Sequence, residues 1–140
     1  MNTPDTPDMS DEAFFTIIER PPTKPRKPDD RPLEKAVQAA IIRAFERRGL
    51  YIERVNAGHF IHEGRHIQGA VKGHSDLSGH LANGHAFFIE CKRRGEKPTP
   101  DQAAFLAARI AGGALAGYAD SVRTALAIVG LEPTKREQTQ

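Results

Sequence analysis

Asp76, Glu90 and Lys92 are the residues of this chain whose types and spacing best suit chemistry. Glu90 and Lys92 stand one residue apart at the end of the apolar run Phe87-Phe88-Ile89. Strand side chains alternate faces, so a strand here puts Glu90 and Lys92 on one face, roughly 6–7 Å apart, and turns Cys91 away with Ile89 and Phe87. Asp76 lies fourteen positions before Glu90, with Asn83-Gly84 midway between them. Asn-Gly between two strand-like runs predicts a hairpin, pairing a strand around 72–81 with one around 85–92 and drawing the two acids together. Two carboxylates there suit a hard divalent cation such as Mg²⁺ or Mn²⁺, with the backbone carbonyl of Cys91 as a third ligand. Such an ion acidifies water and neutralises phosphate charge. Lys92, a compact point charge, would steady the attacking water or the transition-state oxygens. The chemistry indicated is metal-assisted hydrolysis of a phosphodiester. A bare E-x-K is ordinary on an exposed strand. It is not ordinary at the end of a buried one, where charge is costly unless compensated.

The elements that must hold these groups can be read from pattern. Leu33, Val37, Ile41, Ala44-Phe45 and Arg48 recur at helical spacing, with Asp29-Asp30 before and Gly49 after, and predict an amphipathic helix. Tyr51–Val55 alternates as a strand does. Residues 56–70 carry three glycines and three histidines without a period and are expected to form a loop. The two strands bearing Asp76 and Glu90 follow. A second helix over 102–111 has Phe105, Leu106 and Ile110 as its apolar face and stops at Gly112-Gly113. Leu115–Ala119 reads as a short buried strand. A last helix spans 121–129, capped by Asp120 or Ser121. Thr99-Pro100-Asp101-Gln102 has the form of a capping box, with proline at the first helical position, so Gln102 has a structural task whatever else it does.

Composition bounds the rest. The chain has 140 residues, enough for one domain. Seven of the ten prolines fall in the first 32 residues, and acids outnumber bases over 1–31, which predicts a mostly disordered arm. The apolar stretch Ala13–Ile18 within it is a candidate docking element. Residues 131–140 read as a polar tail, leaving the domain at 32–130. That domain carries thirteen Lys+Arg against nine Asp+Glu, too mild an excess to name nucleic acid by itself. Placement says more. Arg93, Arg94 and Lys97 follow Lys92, Lys72 and His74 precede Asp76, and Arg47-Arg48 end the first helix; all suit phosphate contacts. A single cysteine excludes an internal disulfide and, with no signal peptide or long apolar span, points to a soluble cytoplasmic protein without membrane contact.

All six histidines lie between His59 and His85. His59, His62 and His66 have the spacing of one helix face and would suit zinc. The surrounding glycines argue against a helix, and a loop contacting DNA near the scissile region is the expectation.

Taken together, Gly73-His74-Ser75-Asp76-Leu77-Ser78-Gly79, Phe88-Ile89-Glu90-Cys91-Lys92, Thr99-Pro100-Asp101-Gln102 with Phe105, and Gly112-Gly113 resemble the VRR-NUC family of the PD-(D/E)xK nuclease superfamily. The likeness covers roughly residues 33–130, and Ser75 departs from it where the family often has proline. The resemblance implies an α/β, restriction-endonuclease-like core of order αβββαβα, a central mixed sheet flanked by helices. It assigns catalytic positions to Asp76, Glu90 and Lys92, sets Gln102 near the site, and makes Glu34 on the first helix an assisting acid. It implies a Mg²⁺- or Mn²⁺-dependent endodeoxyribonuclease leaving 5′-phosphates, selective for branched or flapped DNA in phage or bacterial replication, repair or recombination. A Holliday junction resolvase would have to be a homodimer to cut symmetrically, with 13–18 as a candidate contact. A non-cutting nucleic-acid-binding module and a sequence-specific restriction-type nuclease are the alternatives.

Overall fold

The structure, a computed structural model, describes residues 28–139. The arm at 1–27, its apolar stretch at 13–18 included, lies outside the described residues. The chain divides into two units, Met1–Asp30 and Arg31–Gln140, and every element below belongs to the second. It is mixed α/β: helix α1 (Glu34–Arg47), strands β1 (Tyr51–Arg54), β2 (His59–His62), β3 (Arg65–Gln68), β4 (Leu77–His80) and β5 (Ala86–Cys91), helix α2 (Pro100–Ala111), strand β6 (Leu115–Ala119), helix α3 (Val122–Ile128) and a 3₁₀ turn at Glu137–Thr139.

Four strands form one mixed sheet in the order β1-β4-β5-β6. The β1–β4 and β4–β5 pairs are antiparallel. The β5–β6 pair is parallel, which demands a crossover, and α2 supplies it. Phe87, Ile89 and Cys91 alternate onto one face of β5 and are fully buried with Ile41, Ala44 and Phe45 of α1 and Ala125 and Leu126 of α3. Phe45 meets Phe87 edge to face, ring centroids 5.3 Å apart. Phe88 points the other way, to α2, where it packs edge-on to Phe105 at 5.7 Å. Arg109 lies 5.1 Å over the Phe105 ring. The sheet is thus flanked by α1 and α3 on one face and α2 on the other.

The β4–β5 hairpin forms around Asn83-Gly84 as the sequence suggests, in a detail worth stating. Gly84 N–H donates to Leu81 O (2.8 Å) and Leu81 N–H to His85 O (2.9 Å), and Gly84 alone in the turn has positive φ (84°). This is a type I turn closed by a glycine bulge rather than a two-residue loop. Gly79 on β4 has to be glycine: a Cβ there would lie 2.7 Å from Phe87 Cζ and closer still to Tyr51 O.

Two expectations need correction. Residues 56–70 are a second hairpin, β2–β3, and not a loop. Its turn is Glu63-Gly64, both with positive φ (49° and 75°), a mirror-image turn that glycine at the second position permits. The N-cap of α1 is Leu33, without a side-chain cap. The 131–139 stretch folds back onto the domain, with Glu137 buried against the end of α1.

Candidate metal centre

The register of the β4–β5 ladder builds the site. Leu77 pairs with Ile89, so the next step along both strands sets Asp76 beside Glu90. There the ladder continues through a side chain: Asp76 Oδ2 accepts the Cys91 backbone N–H at 2.9 Å. N–H and C=O of one extended residue point to the same side, so the Cys91 carbonyl faces Asp76 as well. Ser75, buried in front of the acid, fixes the strand entry by donating its hydroxyl to Leu77 O (3.0 Å).

Glu34, at the first position of α1, joins them. Glu34, Asp76 and Glu90 each offer a carboxylate oxygen, and these atoms lie within 4.8 Å of one another. Among the described residues no other group of three or more acidic, histidine or cysteine ligands is assembled this way. Glu90 is 1% exposed, and neither of its carboxylate oxygens has a hydrogen-bond partner. Lys92 Nζ approaches Glu90 Oε1 to 3.5 Å, an ion pair too long to be a charge-assisted hydrogen bond. Lys92 is itself buried, its backbone N–H held by Ala119 O at 2.9 Å.

The electrostatics would suit a bound cation. Burial, then the neighbouring Asp76 charge, push the Glu90 carboxyl up to about 7 against the opposing pull of Lys92. Burial also raises Glu34, with Lys92 lowering it and Asp76 and Glu96 raising it. The Cys91 thiol, buried in the core, is pushed up by desolvation and the nearby carboxylates, so it is neither a thiolate ligand nor a nucleophile. Buried carboxylate oxygens without donors are costly, and a cation held by Glu34, Asp76 and Glu90 would satisfy them. The donor set, three carboxylates and a carbonyl, is all hard oxygen and fits Mg²⁺ or Mn²⁺.

A cleft of about 670 Å³ opens beside Asp76, walled by Asn56, Lys72, His74, Asp101 and Gln102 among others. Gly73 lets these walls meet. It has φ 84°, and a Cβ on it would lie 2.6 Å from Asp101 O, so the Lys72–His74 loop seats directly on the start of α2. Gln102 completes the capping box: its Oε1 accepts the Thr99 N–H at 2.9 Å while its own N–H donates to Thr99 Oγ1. It faces the cleft but does not join the carboxylate cluster.

The expected phosphate-binding side chains fare differently. Lys72 is exposed on the cleft wall and pairs with Asp101 at 3.3 Å. His74 is held in the aromatic cluster, 4.3 Å from the Phe105 ring centroid, with Nδ1 2.9 Å from Ser75 O. Arg93 is spent inward, donating to Arg31 O and Pro32 O. Arg94 and Lys97 are exposed. Arg47 and Arg48 are corrected: both bind Glu137, Arg48 bidentately at 2.6 and 2.9 Å, and clamp the C-terminal turn instead of standing free for phosphate.

His62 and His66 do not converge. His62 pairs with Arg65 and His66 with Ile61, successive rungs of one ladder, so His62 and His66 fall on opposite faces. A zinc site built on both is excluded. His80, stacked on Tyr51 at 5.3 Å, and His85, bonded to Gly113 O, lie at the turn end of the β4–β5 hairpin, away from Asp76 and Glu90.

No protein-family model matches the chain, and no curated protein or solved structure matches it either. No helix among the described residues is long and apolar enough to cross a membrane.

Proposed function

We propose that this chain is a metal-dependent DNA endonuclease of PD-(D/E)xK type, close to the VRR-NUC family, acting on branched or flapped DNA in bacterial or phage replication, repair or recombination. One observation carries the reading: Asp76, Glu34 and buried Glu90, whose oxygens accept no hydrogen bond, converge beside the Lys92 ammonium. The element order supports it too, since removing the β2–β3 hairpin leaves αβββαβα.

Asp76, Glu90, Glu34 and the Cys91 carbonyl would hold a Mg²⁺ or Mn²⁺ ion. When bound, the ion acidifies water and neutralises charge on the scissile phosphate. The chain's own groups then do the positioning. Lys92 sits where an ammonium can hold the attacking water or a non-bridging phosphate oxygen, and that charge stabilisation is most of what phosphoryl chemistry asks of a protein. The Asp76–Cys91 hydrogen bond fixes one carboxylate oxygen, leaving the other for the ion. Water oxygen bonds to phosphorus as the P–O3′ bond breaks, the 3′ oxygen takes up a proton, and a 5′-phosphate remains. Lys72 and the exposed Arg94 and Lys97 would contact flanking phosphates. Cutting both strands of a four-way junction would need two copies related by a two-fold axis.

The test is incubation with labelled four-way junction, flap, single-stranded and duplex DNA in Mg²⁺, Mn²⁺ or EDTA, beside Asp76→Ala and Lys92→Ala. Metal-dependent cutting abolished by both substitutions is expected. Failure to cut any substrate under either metal would sink the catalytic reading.

A further inference from the structure

None of the described side chains of the β2–β3 hairpin joins the carboxylate cluster or the buried core. Neither strand pairs with the main sheet, and Ile61, His62, Glu63, Arg65, His66 and Gln68 are exposed. Ile61 is 66% exposed, an unusual place for a bare isoleucine. These exposed side chains are available to a partner.

Its root is built with care. Gly58 N–H donates to Ala70 O (3.0 Å), Gly69 N–H to Gly58 O (2.7 Å) and Ala70 N–H to Asn56 O (2.9 Å). A Cβ on Gly69 would lie 3.0 Å from Gly58 O and closer still to Asn56 O, so the neck closes only around glycine. That neck is continuous with the site. Val55 N–H donates to Asp76 O at 2.8 Å, and Val55, Asn56 and Ala57 wall the same cleft as Asp76. The ribbon is therefore rooted at the rim of the cleft beside Asp76.

Its own strands and turn balance Arg65 against Glu63 and add hydrogen-bonding histidines, and the excess of base lies at its root. Between residues 54 and 74 the bases are Arg54, Arg65 and Lys72, with four histidines, against the single acid Glu63. Five residues per strand separate the Ala57–Ala70 bridge from the Glu63-Gly64 turn, six steps and a reach of about 20 Å. A B-DNA major groove is about 12 Å wide and 8.5 Å deep and admits a two-stranded ribbon.

We infer that the β2–β3 ribbon is a duplex-binding arm. It lies in a groove of double-stranded DNA beside the scissile strand, with Arg65 and His66, which point to opposite faces of the ribbon, reaching the phosphates on either side of it. The inference rests on the reading of the site as a DNA phosphodiesterase and adds to it a requirement for duplex next to the cut.

The test is anisotropy of the full chain on a labelled duplex and on its single strand, in EDTA so that nothing is cut, at two salt concentrations, beside the double variant Arg65→Ala/His66→Ala. Both positions are exposed, so folding should be spared, and the rise in melting temperature on adding Mn²⁺ checks that the metal centre is intact. The variant should lose about tenfold in duplex affinity, with a shallower salt dependence by about one ion, and keep its single-strand affinity. Unchanged duplex affinity would overturn the inference. So would a fall in sedimenting mass with duplex affinity preserved, which would make the ribbon a contact between copies. Ribbon-dependent duplex binding by a wild-type chain that never cuts would overturn only the catalytic reading.

Discussion

Asp76 Oδ2 takes the place of a backbone carbonyl in the ladder to β5, accepting the Cys91 N–H at 2.9 Å. One side chain thus closes the sheet and faces the carboxylates of Glu34 and Glu90. The two roles separate by substitution. Asp76→Asn keeps an acceptor for Cys91 but removes the charge, and it should fold with near-normal stability while losing the Mn²⁺-induced rise in melting temperature and all cleavage. Asp76→Ala should lose both and also unfold more readily, by about 1–2 kcal/mol for the stranded N–H. Calorimetry with and without metal reads the difference, and equal metal responses in wild type and Asp76→Asn would count against Asp76 as a ligand.

Lys92 should matter to rate and little to metal affinity. Lys92→Ala is expected to lower cleavage about 10²–10³-fold, the cost of removing one preorganised charge from a transition state. The same change leaves Glu90 without its 3.5 Å counter-charge, so the Mn²⁺-induced stabilisation should persist or grow. A variant that loses metal binding along with activity would reassign Lys92 to holding the site together.

Glu90 predicts an unusual pH dependence of the metal-free fold. Its carboxyl is raised from 4.5 to about 7, first by burial and then by Asp76. A raised folded-state value means the fold prefers the protonated form. That stabilisation is complete below about pH 4.5, is lost as pH rises through 7, and stays lost above it, on the order of 3 kcal/mol. In EDTA the chain should therefore melt lower at pH 8 than at pH 5.5. Glu90→Gln should remove most of that slope, and Mg²⁺ should restore stability at pH 8 by displacing the proton's role. A metal-free melting temperature that climbs from pH 5.5 to 8 would contradict it.

Local pattern made most of the site legible. Alternation along Phe87–Lys92 was enough to set Glu90 and Lys92 on one face and Cys91 in the core, and Asn83-Gly84 was enough to fold Asp76 back toward Glu90. The amphipathic helix put Glu34 at its first turn, but only the packing of α1 on the sheet brings that acid to the other two. The β2–β3 hairpin escaped because its strands are four residues each and its turn is Glu-Gly, with positive φ on a residue that rarely adopts it. Gly64 between two short β-branched or aromatic runs was the available signal. The fate of Arg47 and Arg48 was illegible: nothing local ties them to an acid about 90 positions away.

Gly73 should tolerate no side chain. Its φ of 84° and the 2.6 Å approach of a Cβ to Asp101 O both oppose alanine. Gly73→Ala should cost about 1–3 kcal/mol and shift the Lys72–His74 loop off α2, weakening DNA binding more than metal binding. Paired melting and anisotropy measurements check it; a silent substitution would mean that the loop is not seated on Asp101.

The Glu137 clamp gives the opposite pH sign to Glu90. Its hydrogen bond from Arg48 holds the carboxyl well down, to about 2, with help from the Thr134 N–H and Arg47. A lowered folded-state value contributes stability that is present above about pH 4.5 and lost as pH falls toward 2. Glu137 is 4% exposed and Arg48 20% exposed in their side chains, so removing the arginine strands a buried carboxylate. Arg48→Ala should cost roughly 3 kcal/mol at neutral pH, whereas Arg47→Ala, on a side chain 60% exposed, should cost well under 1 kcal/mol. The double variant Arg48→Ala/Glu137→Ala should recover part of the loss, because no charge is then left buried. Urea melts of the three variants at pH 7 and pH 4 decide it. Equal effects of the two arginines would show that the C-terminal turn is held by something other than this pair.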